Sequence, residues 1–112
     1  MVRPALSIDQ LGDEMYVVEL DFADDPRRLD ARPAHRERLQ ALSLQGTLVL
    51  AGPWADDAGA LLVFDLPSEA ALREVMDEDP YYGTPGVTVR RIREWKPIAG
   101  GSPRGGGRAG AP

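Results

Sequence analysis

The 112-residue chain contains no cysteine and one histidine, His35, and of its thirteen basic residues only Lys96 is a lysine. Without thiols there is no disulfide, no thiolate nucleophile and no cysteine metal site, so stability rests on packing and a reducing, cytoplasmic setting suits the chain. The formal charge of −5 and pI near 4.8 oppose nucleic acid or anionic lipid as the main partner, because both reward a basic surface. No stretch approaches the roughly 18 apolar residues of a membrane span, and "MVRPALSIDQLGDE" has no apolar signal region. The chain also lacks a phosphate loop, a Ser-His-Asp order and a dinucleotide fingerprint, so no cofactor is expected. Adjacent Asp56 and Asp57, with no histidine near them in sequence, are a poor metal signal, and no metal site is expected.

Apolar residues at 43% and charged residues at 28% are ordinary for a single compact domain of this length. Residues 1 to 14 show no sustained period and read as an N-terminal extension. "MYVVELDF" (15 to 22) puts Tyr16, Val18, Leu20 and Phe22 on one side of a period-two strand. Pro26 breaks it, and a helix is expected from about Pro33 to Gln45, stopped by Gly46. "TLVLAGP" (47 to 53) and "GALLVFDL" (59 to 66) have strand length and composition. Ser68 is an N-cap candidate for a second helix carrying Leu72, Val75 and Met76 and ending near Glu78. "DPYYGTPG" reads as a loop, and "VTVRRIREW" (87 to 95) as a last strand with Val87 and Val89 on one side and Ile92 on the other. Residues 98 to 112 are mostly Gly, Pro, Ala and Arg with little to bury, and read as a flexible tail. The domain therefore spans residues 15 to 97, in the order β-α-β-β-α-β.

This order predicts a ferredoxin-like α+β fold, a four-stranded antiparallel sheet with two helices on one face. Two helices cover only one face, yet Met15, Val17, Leu61 and Val63 give the other an apolar character as well. A second copy of the chain is the expected cover, sheet against sheet, in a homodimer. The alternative cover is the extension or the tail.

His35, Leu39 and Leu42 fall at i, i+4 and i+7, so the one imidazole shares a face with apolar residues. Arg32 lies three residues before it, and a guanidinium turned inward needs an anion from the protein or from a ligand. A carboxylate is available in "MDEDP", where Asp77, Glu78 and Asp79 crowd the negative end of a helix. Asp79 against His35 makes an acid–base pair; equally, Asp79 can be a turn former before Pro80. Gly52 and Pro53 at a strand end either make only a turn or let a ligand approach the backbone, with Trp54 as a roof.

The segments "ARPAHRERLQAL", "GTLVLAGPW", "GALLVFDL", "SEAALREVMDEDPYYGTPGV" and "VRRIREWKP" together resemble the YciI-like family of YCII-related domains, in the dimeric α/β-barrel superfamily. The resemblance covers about Met15 to Pro97. It implies a ferredoxin-like fold, two sheets meeting as a barrel in the dimer, and a His–Asp active-site pair. By motif that pair is His35 and Asp79, with Arg32, Gly52, Pro53 and Tyr81 around it. Arg36 follows the histidine where many relatives have an apolar residue, and the stretch between "DPY" and "GV" is longer than in compact members.

The expected function is cofactor-independent acid–base chemistry, isomerase- or lyase-like, on a small carbonyl or lactone-type metabolite. His35 and Asp79 are the candidate catalytic pair; Arg32, Gly52, Pro53, Trp54 and Tyr81 are the candidate substrate-binding residues. The rival is a non-catalytic dimer that holds a small ligand or serves as an accessory module. A haem or metal protein with His35 as its sole ligand is a weaker third option.

Overall fold

The computed structural model describes residues 15–100; the proposed extension (1–14) and the tail beyond residue 100 lie outside the described residues. The strands are β1 (Met15–Phe22), β2 (Leu48–Pro53), β3 (Gly59–Phe64) and β4 (Val87–Trp95), and the helices are α1 (Pro26–Leu44) and α2 (Glu69–Asp77). A 3-10 turn, Pro80–Gly83, follows α2. All described strands join one antiparallel sheet in the order β2-β3-β1-β4, the ferredoxin-like α+β arrangement. No described helix is long and apolar enough to cross a membrane.

The period-two pattern of β1 sorts its side chains as the sequence indicates. Tyr16, Val18 and Leu20 are buried against Leu62 and Phe64 of β3, Leu42 of α1, and Leu72 and Met76 of α2. Ser68 caps α2, its hydroxyl accepting from the Ala71 N–H at 3.1 Å.

Helix α1 starts seven residues before the expected position. Asp25 is its N-cap, accepting from the Arg27 N–H at 2.9 Å, and Pro26 occupies the first turn, where its missing N–H costs nothing. Pro26 is thus a helix starter rather than a breaker, and Pro33 lies inside the helix. An internal proline leaves the carbonyl four residues back without its helical partner. That carbonyl belongs to Leu29, a residue 44% exposed. The buried residues of α1 are Arg28, His35 and Leu42, spaced by seven, close to two turns.

A second correction concerns β4. Its register against β1 shifts between Glu19 and Leu20, so Leu20 faces Val89 while Val18 faces Ile92. The extra residue, Arg90, reverses the alternation, as a bulge does. Ile92 therefore packs on the same core as Val87 and Val89, not on the opposite side.

The helices cover one sheet face. On the other, Met15, Val17, Leu61, Val63 and Trp95 border a groove of about 550 Å³ that Pro97, Ala99 and Gly100 also reach. Leu50 and Trp95 remain 69% and 49% exposed there.

Candidate functional site

The buried stripe of α1 brings His35 to the segment after α2. Asp79 caps the 3-10 turn: its Oδ1 accepts from the Tyr81 N–H at 3.0 Å, which fixes the carboxylate. Its Oδ2 lies 2.7 Å from His35 Nδ1, with both side chains 7% exposed. Because the carboxylate accepts, a neutral imidazole here carries its proton on Nδ1, leaving Nε2 as the basic nitrogen.

Aromatic rings hold the imidazole in place. Tyr81 stacks on it with centroids 3.9 Å apart and planes at 8°, and Tyr82 meets it edge-on at 5.4 Å. Burial lowers the His35 pKa from 6.5; the Asp79 hydrogen bond and charge oppose this, and Arg36 adds to the lowering. The ring is thereby weighted toward the neutral form that can accept a proton. Burial and the Asp79 charge raise the Tyr82 phenol well above its ordinary value, so it stays protonated.

His35 and Tyr81 line a cavity of about 470 Å³ between α1, β2 and the sheet. Arg32, Gly52 and Pro53 line it too, so five of the candidate residues line one hollow and Asp79, directly behind His35, makes a sixth. One expectation changes. Trp54 is not among the lining residues and is 44% exposed; its ring edge lies beside Gly59. A Cβ at Gly52 would meet nothing within 4 Å, so no protein contact requires glycine there.

The inward guanidinium is not Arg32, which is only half-buried and pairs with no described carboxylate, but Arg28, which is 8% exposed. Its Cζ sits 4.3 Å over the Phe22 ring, and its Nη2 is 3.7 Å from Asp57 Oδ2. Nε and Nη1 of Arg28 are buried without a hydrogen-bond partner among the described residues. Leaving such donors unmade costs about 1–3 kcal/mol each. Phe22 in turn meets Tyr81 edge-on at 6.4 Å, so Arg28 and His35 are joined by a continuous run of rings. Sequence reasoning missed Arg28, Phe22 and Tyr82. The seven-residue spacing from Arg28 to His35 was the available signal for the first, hidden by starting the helix at Pro33.

Around this centre three further acids have partners. Glu78 bonds Arg38 across the helices at 2.5 Å, which offsets its place at the negative end of α2. Asp56 accepts from the Ala58 N–H and shapes the β2–β3 turn, while Asp57 faces Arg28. Among the described residues no group of three or more His, Cys, Asp or Glu converges.

Residues 14–96 match the family model of the YCII-related domain. No curated protein matches the chain.

Proposed function

The chain belongs to the YCII-related domain family, and from that premise we propose that it is a small enzyme using His35 and Asp79 for acid–base chemistry on a carbonyl or lactone-type metabolite. The observation that carries the reading is the buried 2.7 Å contact between His35 Nδ1 and Asp79 Oδ2 behind a cavity that the imidazole lines. In this reading His35 Nε2 takes a proton from a carbon beside the carbonyl. In a β,γ-unsaturated carbonyl compound the electron pair moves to the carbonyl oxygen as a dienolate, which Arg32 or the backbone near Gly52 stabilises, and the proton returns to the γ carbon as the double bond shifts into conjugation with the carbonyl. Asp79 holds the Nδ1–H tautomer and offsets the imidazolium charge while the proton is on the ring. Tyr81 and Pro53 shape the wall. The lack of cysteine fits a cytoplasmic setting for this chemistry.

Titration of His35 by NMR in the wild type and in Asp79→Asn tests the pair. The expected result is a lower His35 pKa in the variant, because the carboxylate is the group that raises it. An unchanged value removes the dyad and leaves a dimer that holds a ligand without transforming it. Turnover of lactones and related carbonyl compounds, where found, should fall about 10²–10⁴-fold in His35→Asn.

The open sheet face supports a homodimer closing two sheets into a barrel. Exposed Leu50 and Trp95 beside a groove floored by Val17, Leu61 and Val63 are an apolar surface of the kind a second copy buries. Sedimentation equilibrium should give twice the chain mass, and Leu50→Arg should shift it toward the single chain; a monomeric wild type would discard the barrel.

A further inference from the structure

Arg28 stands apart from the proposed dyad, and the described residues around it do not satisfy it. It is 8% exposed, yet among the described residues Nε and Nη1 have no hydrogen-bond partner, and Nη2 reaches Asp57 only at 3.7 Å, beyond hydrogen-bond distance. Asp57 itself is 54% exposed and so a weakly held counter-charge. A guanidinium presents two forks, Nε with Nη2 and Nη1 with Nη2, each matched to the two oxygens of a carboxylate. In Arg28 each fork contains a donor without a hydrogen-bond partner among the described residues. Phe22 already occupies one face of the group, and its forks are the part matched to a carboxylate.

Arg28 lines the same cavity as His35, two helical turns away on the same face of α1, or about 10 Å along the axis. Arg32 and Arg36 also line it, and no described carboxylate pairs with either. In a chain of net charge −5, this wall carries three arginines against one acid, Asp57. The rest of the lining includes Leu20, Leu39 and Leu62, which suit a carbon skeleton.

We infer that the ligand of this cavity is an organic acid whose carboxylate binds the Arg28 fork, with its reacting end at His35. The inference rests on reading the cavity as a substrate site, and it narrows the substrate class to carboxylates. Arg28 is thus a positioning group: it sets which atom of a bound acid lies at the imidazole. Arg32 and Arg36 draw the anion in from the open side.

The test is calorimetric titration of the full chain with acetate, succinate and adipate, with adipamide as the neutral analogue and inorganic phosphate as the competing anion. Adipate should bind, adipamide should not, and Arg28→Gln should weaken adipate at least about tenfold, while Arg28→Lys loses less because the charge remains. The wild-type Arg28 Nε–H resonance should move on adding adipate, a readout that does not depend on a variant folding. The Arg28 resonance reads the carboxylate seat itself and not the imidazole, which separates this inference from the acid–base reading. Equal affinity in wild type and a folded Arg28→Gln, an unmoved Arg28 resonance, a preference for phosphate, or no binding of any carboxylate would each overturn it. A His35 pKa unaffected by Asp79→Asn would instead sink the dyad and leave the carboxylate seat standing.

Discussion

Asp79→Ala should cost the fold about 3 kcal/mol, read as a drop in the free energy of unfolding in urea near neutral pH. Two losses combine. Oδ1 no longer caps the 3-10 turn through the Tyr81 N–H, a loss worth roughly 1 kcal/mol. Oδ2 no longer accepts from His35, and a buried hydrogen bond to a charged group is worth about 1.5–3 kcal/mol. Asp79→Asn keeps an oxygen for the cap and should lose distinctly less. The Asp79→Ala deficit should also widen on acidification. Burial already lowers the His35 pKa from 6.5, so below that value the unfolded chain binds protons that the folded protein resists, and stability falls. Asp79 is the group that limits this lowering, and without it the fall is steeper. A loss below about 0.5 kcal/mol, the range of an ordinary surface change, would mean that Asp79 does not hold the turn and the imidazole together.

Legibility from sequence followed the range of the interactions involved. β1 and α2 were readable because period-two burial and a Ser68 cap are local signals, and they stand where the pattern places them. α1 was misjudged at its start because two prolines compete for the same role. Asp25 settles the matter by capping at Pro26, and its hydrogen bond to Arg27 is as local as any, but Pro33 outweighed it as a start signal. That one error concealed Arg28, since the stripe Arg28, His35, Leu42 exists only if the helix begins early. Ile92 was misplaced because a bulge at Arg90 is set by pairing with β1, which no strand reveals alone. The meeting of His35 with Asp79 depends on where two helices end relative to each other. Periodicity shows that both residues lie near helix faces or ends; the contact itself follows from the length of α1 and the turn after α2. Trp54 was assigned to the cavity by its place after Gly52 and Pro53, yet the β2–β3 turn carries it toward Gly59.

The same turn makes Gly59 the most demanding glycine in the described chain. An added Cβ would lie 2.0 Å from the Leu20 carbonyl oxygen and 3.1 Å from its carbon, both backbone atoms of the central strand β1. Neither can move aside alone, because Leu20 is paired with Ala60 on one side and Val89 on the other. Gly59→Ala should therefore destabilise by about 3 kcal/mol or more, the upper range for forced overpacking, measured by thermal or urea unfolding. Gly52→Ala is the matched control on the neighbouring strand: with nothing within 4 Å of its Cβ, it should stay within about 0.5 kcal/mol of wild type. The damage at Gly59 should reach the cavity as well. The Trp54 N–H donates to the Gly59 carbonyl and the Phe22 N–H to that of Ala58, so these bonds set where the turn stands. Asp57 rides on that turn with a φ of 60° and faces Arg28 from it. Parting β3 from β1 at this point shifts Asp57 relative to Arg28, so Gly59→Ala should move the Arg28 Nε–H resonance in whatever fraction stays folded. If Gly59→Ala and Gly52→Ala proved equally mild, the close approach of the two strands would be wrong, and with it the placement of the turn that borders the arginine.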